Sequence, residues 1–172
     1  MIAAMLAGSV MIANAKEEKV GWFNRTFCAL TWEQVQTVNK TPKSVCAAVR
    51  HQVRYAEDIG DNWTTGKETW DKKKGDCEDY AACVVDLCQA AGIEASIHIY
   101  CPKGSWEAHA VVIGSWNGQL WISSNGWYEN IESMDEAKKV VAKAAGWRHR
   151  EILTASPEEA KRGYIDLALD NR

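Results

Sequence analysis

The stretch Gly75-Asp76-Cys77-Glu78-Asp79-Tyr80-Ala81 decides the fold that this sequence predicts. It opens a segment whose apolar residues recur at spacings of three and four, the period of a helix with one buried face. Those apolar positions are Ala81, Val84, Val85 and Cys88. Gly92 is placed to end the segment with a left-handed cap. We therefore predict a helix from Asp76 to Ala91 with Cys77 in its first turn.

The segments that follow this helix predict a sheet. Between Ala95 and Tyr100 apolar and polar residues alternate, which is typical of a half-buried strand. The apolar run from His109 to Ile113 indicates a central strand. Asn117-Gly118 predicts a tight hairpin that returns through residues 120–123. We expect three antiparallel strands after the helix.

Capping patterns predict the remaining elements. Helices begin at Thr31 and Thr41 near the N-terminus and at Ser133 and Ser156 near the C-terminus. The helix from Thr41 is expected to reach about Tyr55, with a polar loop over residues 57–74 and an edge strand at Glu151-Ile152-Leu153. This order predicts one α+β unit in which the helix with Cys77 packs on an antiparallel sheet between flanking helices.

Cys77 occupies a position that suits a nucleophile. A thiol attacks as its thiolate, and the unpaired N–H groups at a helix N-terminus stabilise that anion. A glycine and three acids surround Cys77, which is a poor setting for a cysteine that only fills the core. We expect an activated thiol there.

A base for Cys77 is expected from the predicted sheet. His109 opens the strand against which the Cys77 helix would pack, and its imidazole can take the thiol proton and later protonate a leaving amine. The base needs a partner for its other ring nitrogen. Asn125, at the end of the returning strand, is our candidate, which gives the chain order Cys, His, Asn.

The other cysteines point to a different role. The chain has six cysteines, Cys28, Cys46, Cys77, Cys83, Cys88 and Cys101. This number fits an oxidising compartment in which some cysteines form disulfides and one stays free, although the spacing does not define the pairs. Cys83 and Cys88 lie five apart on one predicted helix, so we expect them to be buried or bonded elsewhere, not joined to each other. The sequence has no pair of CxxC units that would indicate structural zinc.

Composition limits the partners of the protein. The net charge is −3, and the basic residues are dispersed apart from Lys72-Lys73-Lys74, so we expect no nucleic-acid partner. Nine tryptophans are many for 172 residues. Most should fill the core, but we predict that Trp63, Trp70 and Trp106 line a substrate groove.

The first fifteen residues form an apolar run that ends in Ala13-Asn14-Ala15, a small-x-small pattern typical of signal-peptidase sites. We therefore expect a signal peptide over residues 1–15, a single domain over residues 16–172, and a secreted or periplasmic protein. The run is too short to span a bilayer as a helix, and no later segment resembles a span.

These motifs resemble the transglutaminase-like superfamily, and most closely the bacterial transglutaminase-like cysteine peptidases. The resemblance covers roughly residues 50–130. It is carried by four segments: Trp63 to Trp70, Gly75 to Ala81, Ala108-His109-Ala110-Val111, and Gly118 to Asn125. It implies a papain/transglutaminase-like fold with the nucleophile on a helix packed against an antiparallel sheet.

The resemblance carries two further implications. Peptidases of this group often need calcium held by acids beside the nucleophile, which here are Asp76, Glu78 and Asp79; the cysteine chemistry itself requires no cofactor. The family usually has Asp at the third triad position. A gapless reading places Ser123 or Ser124 there, with Asn125 one or two residues further on.

The expected activity is cleavage of amide bonds in a protein or peptide substrate through an acyl-enzyme on Cys77. A transamidase, in which an amine and not water resolves the same intermediate, is the alternative within this fold. A cell-wall endopeptidase of another family ranks lower, because its Asp-Cys-Ser-Gly start is missing. A binding module without activity, with an aromatic groove of Trp63, Trp70, Trp106 and Trp127, is the remaining hypothesis.

Overall fold

The computed structural model describes residues 30–57, 62–105 and 107–161. The helices are α1 (Trp32–Val38), α2 (Pro42–Gln52), α3 (Gly66–Lys72), α4 (Cys77–Ala90), α5 (Met134–Ala144) and α6 (Pro157–Lys161). The strands are β1 (Arg54–Tyr55), β2 (Lys74–Gly75), β3 (Glu94–Pro102), β4 (His109–Trp116), β5 (Gln119–Ser124), β6 (Trp127–Ile131) and β7 (Ile152–Ala155).

Five of these strands form one antiparallel sheet in the order β6-β5-β4-β3-β7. The three predicted strands are β3, β4 and β5, and the predicted edge strand is β7, which pairs with β3. Strand β6 was not predicted from the sequence. The two short strands β1 and β2 pair in parallel outside this sheet.

The sheet separates two hydrophobic clusters. The first joins α1, α2, α3 and α4 to the face of the sheet that carries Ala110, Val112 and Trp121. The second joins α5 to the opposite face, which carries Val111 and Ile122. Successive residues of β4 therefore pack into different clusters, because side chains in a strand alternate between the two faces of the sheet. The predicted α+β arrangement, with helices on an antiparallel sheet, is confirmed.

The predicted helix starts agree with the structure, but two boundaries differ from prediction. Thr31 and Thr41 both form capping boxes, and Ser133 caps α5. Helix α2 ends at Gln52, not near Tyr55, because the chain turns extended and Tyr55 pairs with Gly75. The interval predicted as a polar loop contains α3, which starts with a capping box of Thr65 and Glu68.

The expected disulfides do not form among the described cysteines. Cys46, Cys77, Cys83, Cys88 and Cys101 are all free thiols, and Cys28 lies outside the described residues. Four of these five are buried, so they fill the core as small apolar side chains. The burial expected for Cys83 and Cys88 is therefore present, while their disulfides are not.

The predicted signal peptide, residues 1–15, lies outside the described residues, so it stays a prediction. Within the described ranges, no helix has both the length and the apolar character needed to cross a membrane.

Helix α3 meets α4 at Gly66, where a side chain has no room. A Cβ built there would lie 2.8 Å from the Cys83 Cα atom and 3.0 Å from the Ala82 carbonyl oxygen. The Gly66 N–H also donates a hydrogen bond of 2.9 Å to an Asp86 carboxylate oxygen, which fixes the start of α3 on the middle of α4.

We expect Gly66→Ala to destabilise the protein by about 1–3 kcal/mol, because the added methyl group meets backbone atoms that cannot move aside cheaply. Urea unfolding measures this change. Lys67→Ala, at an exposed position on the same helix, is the matched control and should change stability little, since its pairing with Asp71 is solvated. Equal stability of the two variants would contradict this packing.

Candidate active site

The motif around Cys77 is first a packing motif. A Cβ at Gly75 would lie 2.5 Å from the Asp79 Cβ atom, so only glycine lets the first turn of α4 fold back against β2. Glu78 and Asp79 are 5% and 6% exposed, which is rare for carboxylates and demands specific partners for both.

Asp79 finds its hydrogen-bond partners in the loop before α3. One Asp79 carboxylate oxygen accepts hydrogen bonds from the Thr64 N–H at 3.1 Å and from the Thr64 hydroxyl at 2.6 Å. The Thr64 hydroxyl is also 2.7 Å from that of Thr69, which is fully buried. These contacts place Trp63, the residue before Thr64, next to the first turn of α4.

Two further contacts bring Tyr55 close to the first turn of α4. The Tyr80 hydroxyl donates a hydrogen bond to the Val53 carbonyl oxygen, which ties α4 to the end of α2. Two residues later Tyr55 pairs with Gly75 in the β1–β2 ladder. Tyr55 is 48% exposed, and partial burial, followed by the nearby Cys77 and acidic groups, raises the pKa of its hydroxyl. Tyr55 was not predicted as a site residue, because a two-residue strand has no readable period.

The Cys77 thiol lies between α4 and the start of β4. Its sulfur is 3.4 Å from the Glu78 carboxyl oxygen Oε2, to which the thiol donates, and it accepts a hydrogen bond from the Ala110 backbone N–H. Ala110 directly follows His109, so the thiol lies one residue from the expected base. No hydrogen bond between the thiol and the His109 ring occurs within the described residues.

The surroundings of Cys77 act on the pKa of its thiol in both directions, and its activation stays a prediction. Burial raises the pKa of Cys77 to about 12; the Ala110 N–H lowers it, while the carboxyl groups of Glu78 and Asp76 raise it further. Burial also lowers the pKa of His109. Desolvation and the two acids therefore oppose the effect of the helix N-terminus, and the surroundings favour the neutral forms of the thiol and the imidazole.

His109 is hydrogen-bonded to Ser124. The distance from the imidazole Nε2 atom to the Ser124 hydroxyl oxygen is 2.8 Å. The register explains this contact: Val112 pairs with Ser123, so Ser124 stands opposite Val111 and shares a face with His109 two residues along β4. Ser123 is opposite Val112, faces the first hydrophobic cluster and is buried.

Asn125, our candidate for the third member, stands in the turn that follows. Its φ of 48° is in the left-handed region, and its side-chain oxygen is buried without a hydrogen-bond partner. The turn directs the Asn125 side chain along a different path from Ser124, although both residues line the same cavity. The structure thus brings Ser124, and not Asn125, to the His109 ring.

The three acids expected to hold calcium do not act as one group. Asp79 is engaged by Thr64, while the Glu78 and Asp76 carboxyl groups are hydrogen-bonded to each other, which together with burial raises the pKa of Glu78. Within the described residues no group of three or more His, Cys, Asp or Glu side chains could hold a metal ion. The set Asp76, Glu78 and Asp79 does not fit a calcium ion as arranged, and calcium binding stays a prediction.

The tryptophans expected in the groove take different positions. Trp70 is 3% exposed, its indole N–H donates to the Leu30 carbonyl oxygen, and its ring packs edge-on to Trp32, so it belongs to the core. Trp63 is half-buried, and Trp106 lies outside the described residues. Trp127 is 67% exposed.

A cavity of about 420 Å³ adjoins these groups. His109 and Ser124 line it, together with Arg50, Tyr55, Tyr80, Asn125, Trp127, Ala144 and Ala145. This volume is enough for several residues of an extended peptide. The cavity therefore gives a ligand access to the His109 imidazole.

We expect the alkylation rate of Cys77 by iodoacetamide, followed by peptide mass spectrometry, to keep rising from pH about 7 to 10 without levelling off. The reason is that the thiolate fraction grows until the pH reaches a folded-state pKa of about 12. Burial and Asp76 raise the pKa of Glu78 to about 8, so above that pH Glu78→Gln should speed the reaction by removing negative charge beside the sulfur. Cys83, which is fully buried, is the internal control and should stay unmodified. A plateau below pH 8 would contradict the neutral resting thiol.

Comparison with known proteins identifies the fold. Residues 27–130 match the model of the transglutaminase-like superfamily. No curated protein is similar enough to count as a match. A crystal structure described as "a Putative Cysteine Protease from Cytophaga hutchinsonii" is similar at 15% identity with a TM-score of 0.45. That similarity covers 73% of this chain and 46% of the other, so this chain spans under half the length of that protein.

Proposed function

The chain belongs to the transglutaminase-like superfamily, whose model matches residues 27–130, and on that premise we propose that it cleaves amide bonds as a cysteine peptidase with Cys77 as nucleophile. The observation that supports the proposal best is the hydrogen bond between His109 and Ser124, one residue from the Ala110 N–H that contacts the Cys77 sulfur. These two contacts support a site in which Cys77 is the nucleophile, His109 its base and Ser124 the partner of the base.

The His109–Ser124 contact fits either tautomer of the ring, and the proposed reaction uses the one with the proton on Nε2. When Ser124 accepts the Nε2 proton, Nδ1 carries the lone pair and becomes the atom that takes the Cys77 proton. The resting pair is neutral, so this transfer coincides with attack of the sulfur on the substrate carbonyl carbon. A C–S bond forms, the carbonyl π pair moves to oxygen, and His109 becomes imidazolium.

The negative oxygen of that intermediate needs N–H donors. The backbone N–H of Cys77, at the first position of α4, has no partner within the helix and is one donor. Trp63 is our candidate for the second, because the Thr64–Asp79 contacts place it beside this turn, whereas the Trp70 N–H is used by Leu30.

The intermediate then collapses to products. The C–N bond breaks, the imidazolium gives its proton to the leaving amine, and an acyl-enzyme remains on Cys77. Water, deprotonated by His109, attacks the thioester and releases the acid, which returns the thiol and imidazole to their neutral state. An amine in place of water would give the transamidation that remains the alternative.

We expect Cys77→Ala to lose all amide cleavage while its melting temperature stays close to that of the parent protein, because the side chain lost is small. The measurement is cleavage of a peptide mixture from a protein digest, with products identified by mass spectrometry. Incorporation of a labelled primary amine into glutamine-containing proteins, measured alongside, assigns transamidation. Cleavage by Cys77→Ala equal to that of the parent would refute the proposal.

We expect Ser124→Ala to lower kcat about tenfold or more, since a hydrogen bond to a group that becomes charged contributes about 1.5–3 kcal/mol. Because Ser124 positions His109, the pH–kcat profile should also shift, and Ser124→Thr should restore most of the rate.

Asn125→Gly is the matched variant for this prediction, because it removes the amide while keeping the positive φ that the turn requires. It should cost less activity than Ser124→Ala. The reverse order of effects would make Asn125 the partner of His109.

A further inference from the structure

Arg50 and Trp127 form an exposed pair beside the active site. The guanidinium carbon of Arg50 lies 3.9 Å from the centroid of the Trp127 ring, which is within the range of a cation–π contact. Both side chains are exposed, Trp127 by 67%. A tryptophan this exposed contributes little to the core, so its position needs another explanation.

The β5–β6 turn fixes this pair in place. Asn125 and Gly126 have φ values of 48° and 76°, the combination of a tight hairpin turn. A Cβ at Gly126 would lie 2.8 Å from the Arg50 Cβ atom and 3.0 Å from the Cys46 carbonyl oxygen, so the turn contacts α2 directly. Trp127 follows at once and therefore meets Arg50 with little freedom. The pair is a preorganised surface on two rigid elements.

The same pair lines the cavity that contains His109. Among the described residues that line this cavity, Arg50 is the one permanent cation, and none of them is Asp or Glu. Arg50 belongs to none of the ion pairs formed by the described residues, which join Lys67, Lys103 and Arg150 to acids elsewhere. Its charge is thus available to a ligand in the cavity.

Acids stand on the other side of the nucleophile. Partial burial raises the pKa of the Tyr55 hydroxyl, and Cys77 and the nearby acids Glu57, Asp76 and Glu78 raise it further, which places these acids near Tyr55. A ligand with a carboxylate is repelled from that side and attracted toward Arg50. The charge therefore differs between the two ends of the cavity: acids lie near Tyr55, and the cation of Arg50 lies at Trp127.

From this geometry we propose that Arg50, stacked on Trp127, forms a subsite that binds a carboxylate of the substrate on the Ser124 side of the cleft. The inference deepens the proposed peptidase function by naming a feature of its substrate. A guanidinium that stacks with its face on an aromatic ring keeps its N–H edge for a carboxylate, which accepts two parallel hydrogen bonds there. The carboxylate belongs either to an Asp or Glu side chain or to the C-terminus of a short peptide.

Three sets of synthetic peptides separate these sources. All share one alanine-rich sequence with a blocked N-terminus: one set carries Glu at each position in turn with an amidated C-terminus, the second carries Gln at the same positions, and the third has no acid but a free C-terminal carboxylate. Binding is measured by ligand-observed NMR to the Cys77→Ala variant, which needs no turnover.

We expect peptides of the first or third set to bind about tenfold more tightly than their Gln or amidated counterparts, the low end of what a charged hydrogen-bonded pair gives at an exposed site. Arg50→Gln should remove this preference, Arg50→Lys should keep part of it, and Trp127→Leu should reduce it. Arg54→Gln, an exposed arginine that does not line the cavity, is the matched control and should leave the preference intact.

Binding of the Glu set identifies a side-chain carboxylate, and binding of the third set identifies a C-terminal one. No preference for either over the neutral peptides, or a preference that survives in Arg50→Gln, would overturn the subsite. Cleavage of the same peptides by the parent protein is measured separately. Its absence counts against the peptidase function, whereas the binding preference judges the subsite alone.

Discussion

The burial of the first turn of α4 is the constraint on which the rest of the structure depends. Two carboxyl groups, Glu78 and Asp79, are almost fully removed from water there, at a cost that partners must offset. Hydrogen bonds from Thr64 offset the cost of burying Asp79. Contacts with Asp76 and the Cys77 thiol offset the cost of burying Glu78. Gly75 is required because these groups fold back onto β2. One set of contacts thus holds the loop, the short β1–β2 ladder and Cys77.

This constraint explains which parts of the fold were predictable from the sequence. Helix α4, strands β3 to β5 and the capped helices have local signals, such as periodicity, the Asn117-Gly118 turn and the capping residues. Helix α3 was missed although Thr65 and Glu68 carry a capping signal, because glycines and charges in that interval resemble a loop. Strand β6 was missed because Ile131 is its one buried residue, and a single buried residue shows no alternation.

The sequence predicted which elements meet at the candidate site, but not the electrostatics there. The start of helix α4 meets the start of strand β4, where the Cys77 thiol contacts the backbone of Ala110, the residue after His109. Two details depend on tertiary contacts instead. Ser124 reaches His109 through strand register, which a shift of one residue would reverse, and Trp70 lies in the core because α1 packs over it. Likewise, a helix N-terminus predicts a stabilised thiolate only where solvent or a cation accompanies it, and here Glu78 and Asp76 do the opposite.

The serine at the third position is consistent with those acids. A carboxylate beside Nε2 would raise the pKa of His109 and favour imidazolium, whereas a hydroxyl orients the ring without adding charge. The acids beside the thiol disfavour the thiolate, because they place negative charge next to the sulfur. Both halves of the pair are therefore biased toward the neutral state, and the charged state has to be formed together with the new bond. The hydrogen bond from the thiol to Glu78 adds to this bias, because it holds the proton on the sulfur.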